Sequence, residues 1–290
     1  FCLSRGLGDV YKRQLLYLNF HMNYIIQSIM LTAICLIAVS CQRNAITGRK
    51  QLALVPESEA QSLAAGQYQS FLNTNKVVIG NADAQMVKRV GESIVTAIKN
   101  YYQQKGLSNE LSGYSWEINL VNDKQMNAWC MPGGRIVVYT GILPVTKNEA
   151  GLAVVMGHEI AHALARHGSE RMSQALLQQG LGAGISIAMS SKPQLTQDIF
   201  NASYGIVSGT AMPAFSRSNE LEADRFGLMF SALAGYDPRE AIPFWTRMSA
   251  AAGNNANSPS ILSTHPSDAG RIAALQKIMA STIQNYYKKS

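Results

Sequence analysis

GLAVVMGHEIAHALARHG, residues 151–168, carries apolar residues at helical spacing on either side of two histidines and a glutamate. His158 and His162 stand four positions apart, so they project from one helical face about one turn apart and can hold a single metal ion between them. Glu159 then points towards the open coordination position, where a general base is needed. A helix that places this triplet on its inner face belongs inside a folded body, and the rest of the chain has to supply the remaining ligand.

A zinc ion that performs catalysis takes three protein ligands and leaves one position open. His167 is the nearest further histidine. One common arrangement places its third histidine ten residues after the first, which here is Gly168, so His167 is expected to face away in a capping or surface role. FSRSNELEADRFG, residues 215–227, is the better source, because Glu220 and Asp224 are again four apart and share a helical face. Glu220 is assigned to the metal. Asp224 is assigned to the far N–H of a ligand histidine, where an accepting carboxylate fixes the tautomer and raises the basicity of the ring. Glu222 is expected to face solvent. Two histidines and a carboxylate suit Zn²⁺ best among common ions, one per chain, although cobalt or manganese can substitute in vitro. With water and carbonyl polarised by such an ion, Glu159 takes the water proton during attack on a peptide bond and passes it to the leaving amine.

Around this centre the chain supplies ample core. Of 290 residues 47% are hydrophobic and 15% charged, which excludes a disordered or fibrous class. The net charge of +7 is carried by scattered residues without an aromatic-studded basic stripe, so nucleic acid is not an expected partner. Four cysteines, at 2, 35, 41 and 130, have no CxxC spacing, and Cys130 reads as a small buried apolar residue. Helices are expected from Pro56, over 83–104 with Asp83 as a cap, over 148–166, 216–233, 238–249 and 266–286. Tyr114 to Val121 and the stretch RIVVYTG, residues 135–141, read as strands. The fold class is therefore α+β, mainly helical, with a small β-sheet. GLGAGISIAMSS, residues 180–191, reads either as a flap over the site or as a close helix contact through small residues, and residues 250–263 read as a linker.

HEIAH followed some sixty residues later by SRSNELEAD, preceded by NAWCMPGGRIVVYTGIL and followed by THPSDAGRIAAL, resembles the gluzincin peptidases that include the CAAX prenyl protease and HtpX-type heat-shock proteases. The likeness runs from about Asn44 to Ile278 and is nearest to periplasmic, lipid-anchored members, which the opening NAITGRKQLALVPE fits. It implies a zincin-like domain, with Glu220 as third ligand and quality-control proteolysis of unfolded or misassembled envelope proteins, in contact with the envelope assembly machinery. It also implies that Gly134, Arg135, Ile136, Val137, Val138 and Tyr139 form an edge strand lining the cleft, on which an extended substrate adds as a further strand. His265 lies in a region that is close to the metal in that family. Three roles fit it: donor to the developing oxyanion, occupant of the open metal position at rest, or cap of the last helix. Arg271 reads as a clamp on a carboxylate or as a surface residue.

At the N-terminus, residues 1–21 read as a non-native, adaptor-like leader before Met22. Residues 25–39, IIQSIMLTAICLIAV, have the length of a signal-peptide core and end at Ser40-Cys41. The segment 22–40 is thus expected to be a signal peptide and Cys41 a lipidated residue followed by a polar tether over 41–55. A single metallopeptidase domain would span 56–286, in an outer-membrane lipoprotein of the bacterial envelope facing the periplasm. Two rivals remain at this level: a zinc-stabilised, membrane-tethered chaperone or assembly factor with little proteolysis, and a zinc amidase acting on cell-wall peptides.

Overall fold

A computed structural model describes residues 41–178, 193–204, 214–253, 261–265 and 269–288, with seven positions between 17 and 28. The leader, the signal-peptide core and the flap segment over 180–191 fall wholly or almost wholly outside those residues, and so does 254–260 of the expected linker, whose flanks 250–253 and 261–263 are helical rather than extended. Among the described residues no helix is long and apolar enough to cross a membrane.

The body is mainly helical, with α1 at Glu57–Thr74, α2 at Ala82–Gln104, α3 at Glu149–Leu164, α4 at His167–Gln178, α5 at Pro193–Tyr204, α6 at Arg217–Leu233, α7 at Ala241–Gly253 and α8 at Ala269–Tyr286. Helix α2 buries Val87, Val90, Ile94 and Ile98, the stripe its periodicity demands, and its cap is Asn81, whose side chain accepts from the Ala84 N–H. Asp83, expected to be that cap, sits inside the first turn instead, where its charge suits the helix N-terminus. Helix α3 starts at Asn148, whose side chain accepts from Gly151 N at 2.8 Å, and it is buried at every position from Gly151 to Leu164.

The sheet is small and mixed. Strands β1 (Cys41–Arg43) and β2 (Lys50–Leu52) form a separate antiparallel hairpin, and the four-stranded sheet runs in the order β3 (Val77–Val78), β4 (Glu117–Val121), β6 (Arg135–Tyr139), β5 (Ala128–Met131). Strand β6 pairs in parallel with β4 and antiparallel with β5. The expected edge strand at Gly134–Tyr139 is therefore an interior strand, with neighbours on both sides. Its run Ile136–Tyr139 is buried throughout because both faces are covered, with Ile136 and Val138 packing in the core of α2 and α3, and Val137 and Tyr139 packing with Tyr68, Phe71 and Trp129. The edge beside α3 belongs to β5.

Two further features position the site. Helices α3 and α6 touch backbone to backbone: a Cβ on Gly157 would lie 2.7 Å from Gly227 O, and one on Gly227 would lie 2.7 Å from His158 N. The segment expected to be an extended tether is folded onto the body over 41–52. Asn44 Nδ2 donates to Leu164 O at 3.0 Å, and Arg49 donates to Glu170 and Glu222.

Candidate metal centre

The HExxH histidines leave α3 side by side, with His158 Nε2 and His162 Nε2 3.1 Å apart. Helix α6, capped by Ser216 through Asn219 N, brings Glu220 against them. Its carboxylate oxygens lie 3.5 Å from His158 Nε2 and 3.5 Å from His162 Nε2. His265 completes the group, its Nδ1 lying 2.9 Å from Glu220 Oε1 and 3.3 Å from His158 Nε2. One donor atom from each of these four buried residues lies within 4.8 Å of all the others.

The donor set fits a metal ion. His158 Nδ1 lies 3.0 Å from Asp224 Oδ1 and His162 Nδ1 lies 2.9 Å from His167 Nδ1, so each ring has an outward partner for its N–H and turns the other nitrogen inward. Lone pairs converging from two imidazoles beside a buried carboxylate are the surroundings that a cation satisfies. Burial disfavours the charged form of His158, but the hydrogen-bonding carboxylates of Asp224 and Glu220 outweigh it and hold its pKa up at about 9, so a bound ion would take the place of a proton on Nε2. Burial, with His158 and His265 nearby, pushes His162 well below the usual range. Against the burial that would raise it, Glu220 is kept ionised by His265 and His158.

Glu159 lies in the same dry region. Its Oε1 is buried with no hydrogen-bond partner among the described residues, and His265 Nε2 is 3.6 Å away. Burial raises its pKa, the environment in which a carboxyl group can take up and return a proton. Asp224 is clamped by Arg271, whose Nε and Nη2 donate at 2.8 and 2.6 Å while its Nη1 lies 2.7 Å from Glu220 Oε2. Arg271 is thus a buried clamp on both acids of α6, and its guanidinium also covers the Trp245 ring at 4.4 Å.

Two expectations fail here. His167 is buried rather than surface-facing, and Glu222 is turned inward to it, with Oε2 2.8 Å from His167 Nε2. Helix α3 stops at Leu164, and Arg166 takes a φ of 56° before α4 begins. That left-handed residue swings His167 back under His162, so a projection along one continuous helix misplaces it. Glu222 follows because its partners, His167 and Arg49, come from elsewhere in the chain. Phe215, whose ring centroid lies 4.2 Å from that of His162, was also not foreseen, and only its adjacency to the SRSNELEAD segment marks it in the sequence.

A helical HExxH pair joined by a glutamate from a second helix defines the gluzincin class of metallopeptidase site. The family model for Peptidase family M48 matches residues 82–279, more than half of the chain, and the chain belongs to that family. It is 36% identical over 167 residues to the Mitochondrial metalloendopeptidase OMA1 of Schizosaccharomyces pombe, which covers 58% of this chain and 48% of that protein. It is 34% identical over 206 residues to the protein of the same name from Saccharomyces cerevisiae, covering 64% of this chain and 57% of that one. To the Beta-barrel assembly-enhancing protease of Escherichia coli it is 34% identical over 161 residues, 53% of this chain and 32% of that protein. The chain thus spans between about a third and somewhat over half of the length of these relatives.

Proposed function

We propose that this chain is a zinc metalloendopeptidase that cleaves unfolded or misassembled proteins of the bacterial envelope. The observation that carries the reading is the convergence of His158, His162 and Glu220 beside a buried, unpartnered Glu159 oxygen. These three residues would hold the ion. Bound there, zinc supplies a Lewis acid that polarises water and the substrate carbonyl. Glu159 takes the proton of the attacking water and delivers it to the departing amine, so no covalent intermediate is required. Asp224, fixed by Arg271, holds His158 in the tautomer that leaves Nε2 free. His265, within the donor group, would be a further ligand to the ion at rest or a donor to the developing oxyanion.

The docking strand proposed here is β5. Tyr139 N donates to Asn127 O, which sets the pairing so that Trp129 and Met131 exchange hydrogen bonds with β6 while the backbone of Ala128 and Cys130 faces outward. Cys130 is close enough to Glu159 for that charge to add to the effect of burial on its thiol. An extended substrate laid along this edge presents main chain to the site, which favours unfolded segments.

The signal-like run and the exposed Cys41 support an envelope protein attached through a lipid on that residue, with a single metallopeptidase domain beyond it. The words assembly-enhancing in the bacterial relative's name favour contact with the barrel-assembly machinery, and the second reading, an assembly factor with little proteolysis, rests on those words against the word protease beside them. The two separate on Glu159→Gln. Near-stoichiometric zinc in both forms, with casein cleavage at least about a hundredfold slower in the variant and abolished by a chelator, is the result expected of the peptidase. Zinc bound by both forms without cleavage by either would favour the assembly factor, and no bound metal would remove the central claim.

A further inference from the structure

We propose that the N-terminal hairpin is a working part of the metal centre, in which Arg49 acts through Glu222 and His167 to position the ligand His162. The inference rests on the metal-site reading above. A continuous chain of polar contacts carries it: His162 Nδ1 to His167 Nδ1 at 2.9 Å, His167 Nε2 to Glu222 Oε2 at 2.8 Å, and Arg49 Nε to the same oxygen at 3.0 Å. The other face of the Arg49 guanidinium donates to Glu170 Oε1 and Oε2 at 2.8 and 2.7 Å, which anchors it on α4.

The protons along this chain have one consistent placement. For His162 to present a lone pair at Nε2, its proton must sit on Nδ1 and be donated to His167 Nδ1. His167 Nδ1 must then be an acceptor, its own proton lies on Nε2, and that proton is donated to Glu222. The carboxylate accepts best when ionised, and Arg49 donates to it and balances its charge. His162 is thus oriented by a relay of two side chains ending in an arginine, while His158 is oriented directly by Asp224. Arg49 lies on the hairpin, outside the matched region 82–279, so the segment next to Cys41 contributes to a site otherwise built from α3, α6 and His265.

Arg49 is a positioning residue, and affinity for the metal is the readout that separates this role from simple anchoring of the hairpin. Zinc dissociation constants would be measured by chelator competition on the full chain for wild type, Arg49→Met, Glu222→Gln and Arg247→Met, together with the visible absorption of the Co²⁺ forms. Glu222→Gln leaves the Arg49 to Glu170 pair in place. Arg247→Met removes a partly buried ion pair with Glu240 and two bonds to the carbonyls of Val145 and Thr146, and it touches none of the relay residues. We expect affinity roughly 10- to 100-fold weaker in Arg49→Met and Glu222→Gln, with altered Co²⁺ bands, and a change under about twofold in Arg247→Met. Unchanged affinity in the first two variants, or an equal loss in Arg247→Met, would overturn the relay while leaving the metal centre standing. A wild-type chain that binds no zinc would remove both.

Discussion

At the scale of single residues, Arg271 shows how much of the site depends on one buried cation. It is almost completely enclosed and faces Asp224 and Glu220, so its removal strands two carboxylates in a dry interior. Arg271→Met is expected to cost about 3–5 kcal/mol of stability in urea unfolding, and a loss below about 1 kcal/mol would show that the two acids are solvated when the clamp is gone. The chemistry at this scale was largely legible in the sequence. Helical periodicity alone pairs His158 with His162 and Glu220 with Asp224, because each pair lies within one helix. His167 and Glu222 were not legible. Their placement depends on the φ of Arg166 and on a hairpin whose Arg49 is 173 residues from Glu222 in the chain, and neither leaves a mark in local spacing.

Among the elements, the sheet is where local reading and tertiary structure part. A β-rich run between glycines looks the same whether it lies at an edge or in the middle, and only the parallel pairing of β4 with β6 places it inside. The four successive apolar residues Ile136 to Tyr139 were the available hint, since a strand covered on both faces loses its alternation. Strand β5, with its outward Cys130 backbone, is the element to test. Cys130→Pro removes an N–H that points out of the sheet and spares the bonds to β6, so casein cleavage should fall roughly tenfold or more while zinc content stays at the wild-type level. Unchanged cleavage would mean that substrate docks elsewhere. Helix boundaries were better served, with α2, α3 and α6 close to their expected spans because Asn81, Asn148 and Ser216 cap them.

Over the whole molecule, the proposed ligands His158, His162 and Glu220 come from α3 and α6, and His265 follows 45 residues beyond Glu220, so a bound ion ties together parts of the chain that are distant in sequence. Folding and metal binding are then linked, since the unfolded chain offers no formed site. At free zinc about a thousandfold above the dissociation constant the linkage stabilises the fold by about 4 kcal/mol. Chelation should lower the melting temperature by roughly 10 °C, read by circular dichroism. A melting temperature that ignores the chelator would show that the body holds its shape without the ion.

The contact of Gly157 with Gly227 sets how near the histidine helix comes to the carboxylate helix. Main chain rests on main chain there, with the small Ser231 side chain beside Gly157, so the spacing between the histidine helix and the carboxylate helix has little room to change. The separation of the main-chain segments that carry His158 and Glu220 is thereby held, and the rotamers of the ligands make the remaining adjustment to an ion.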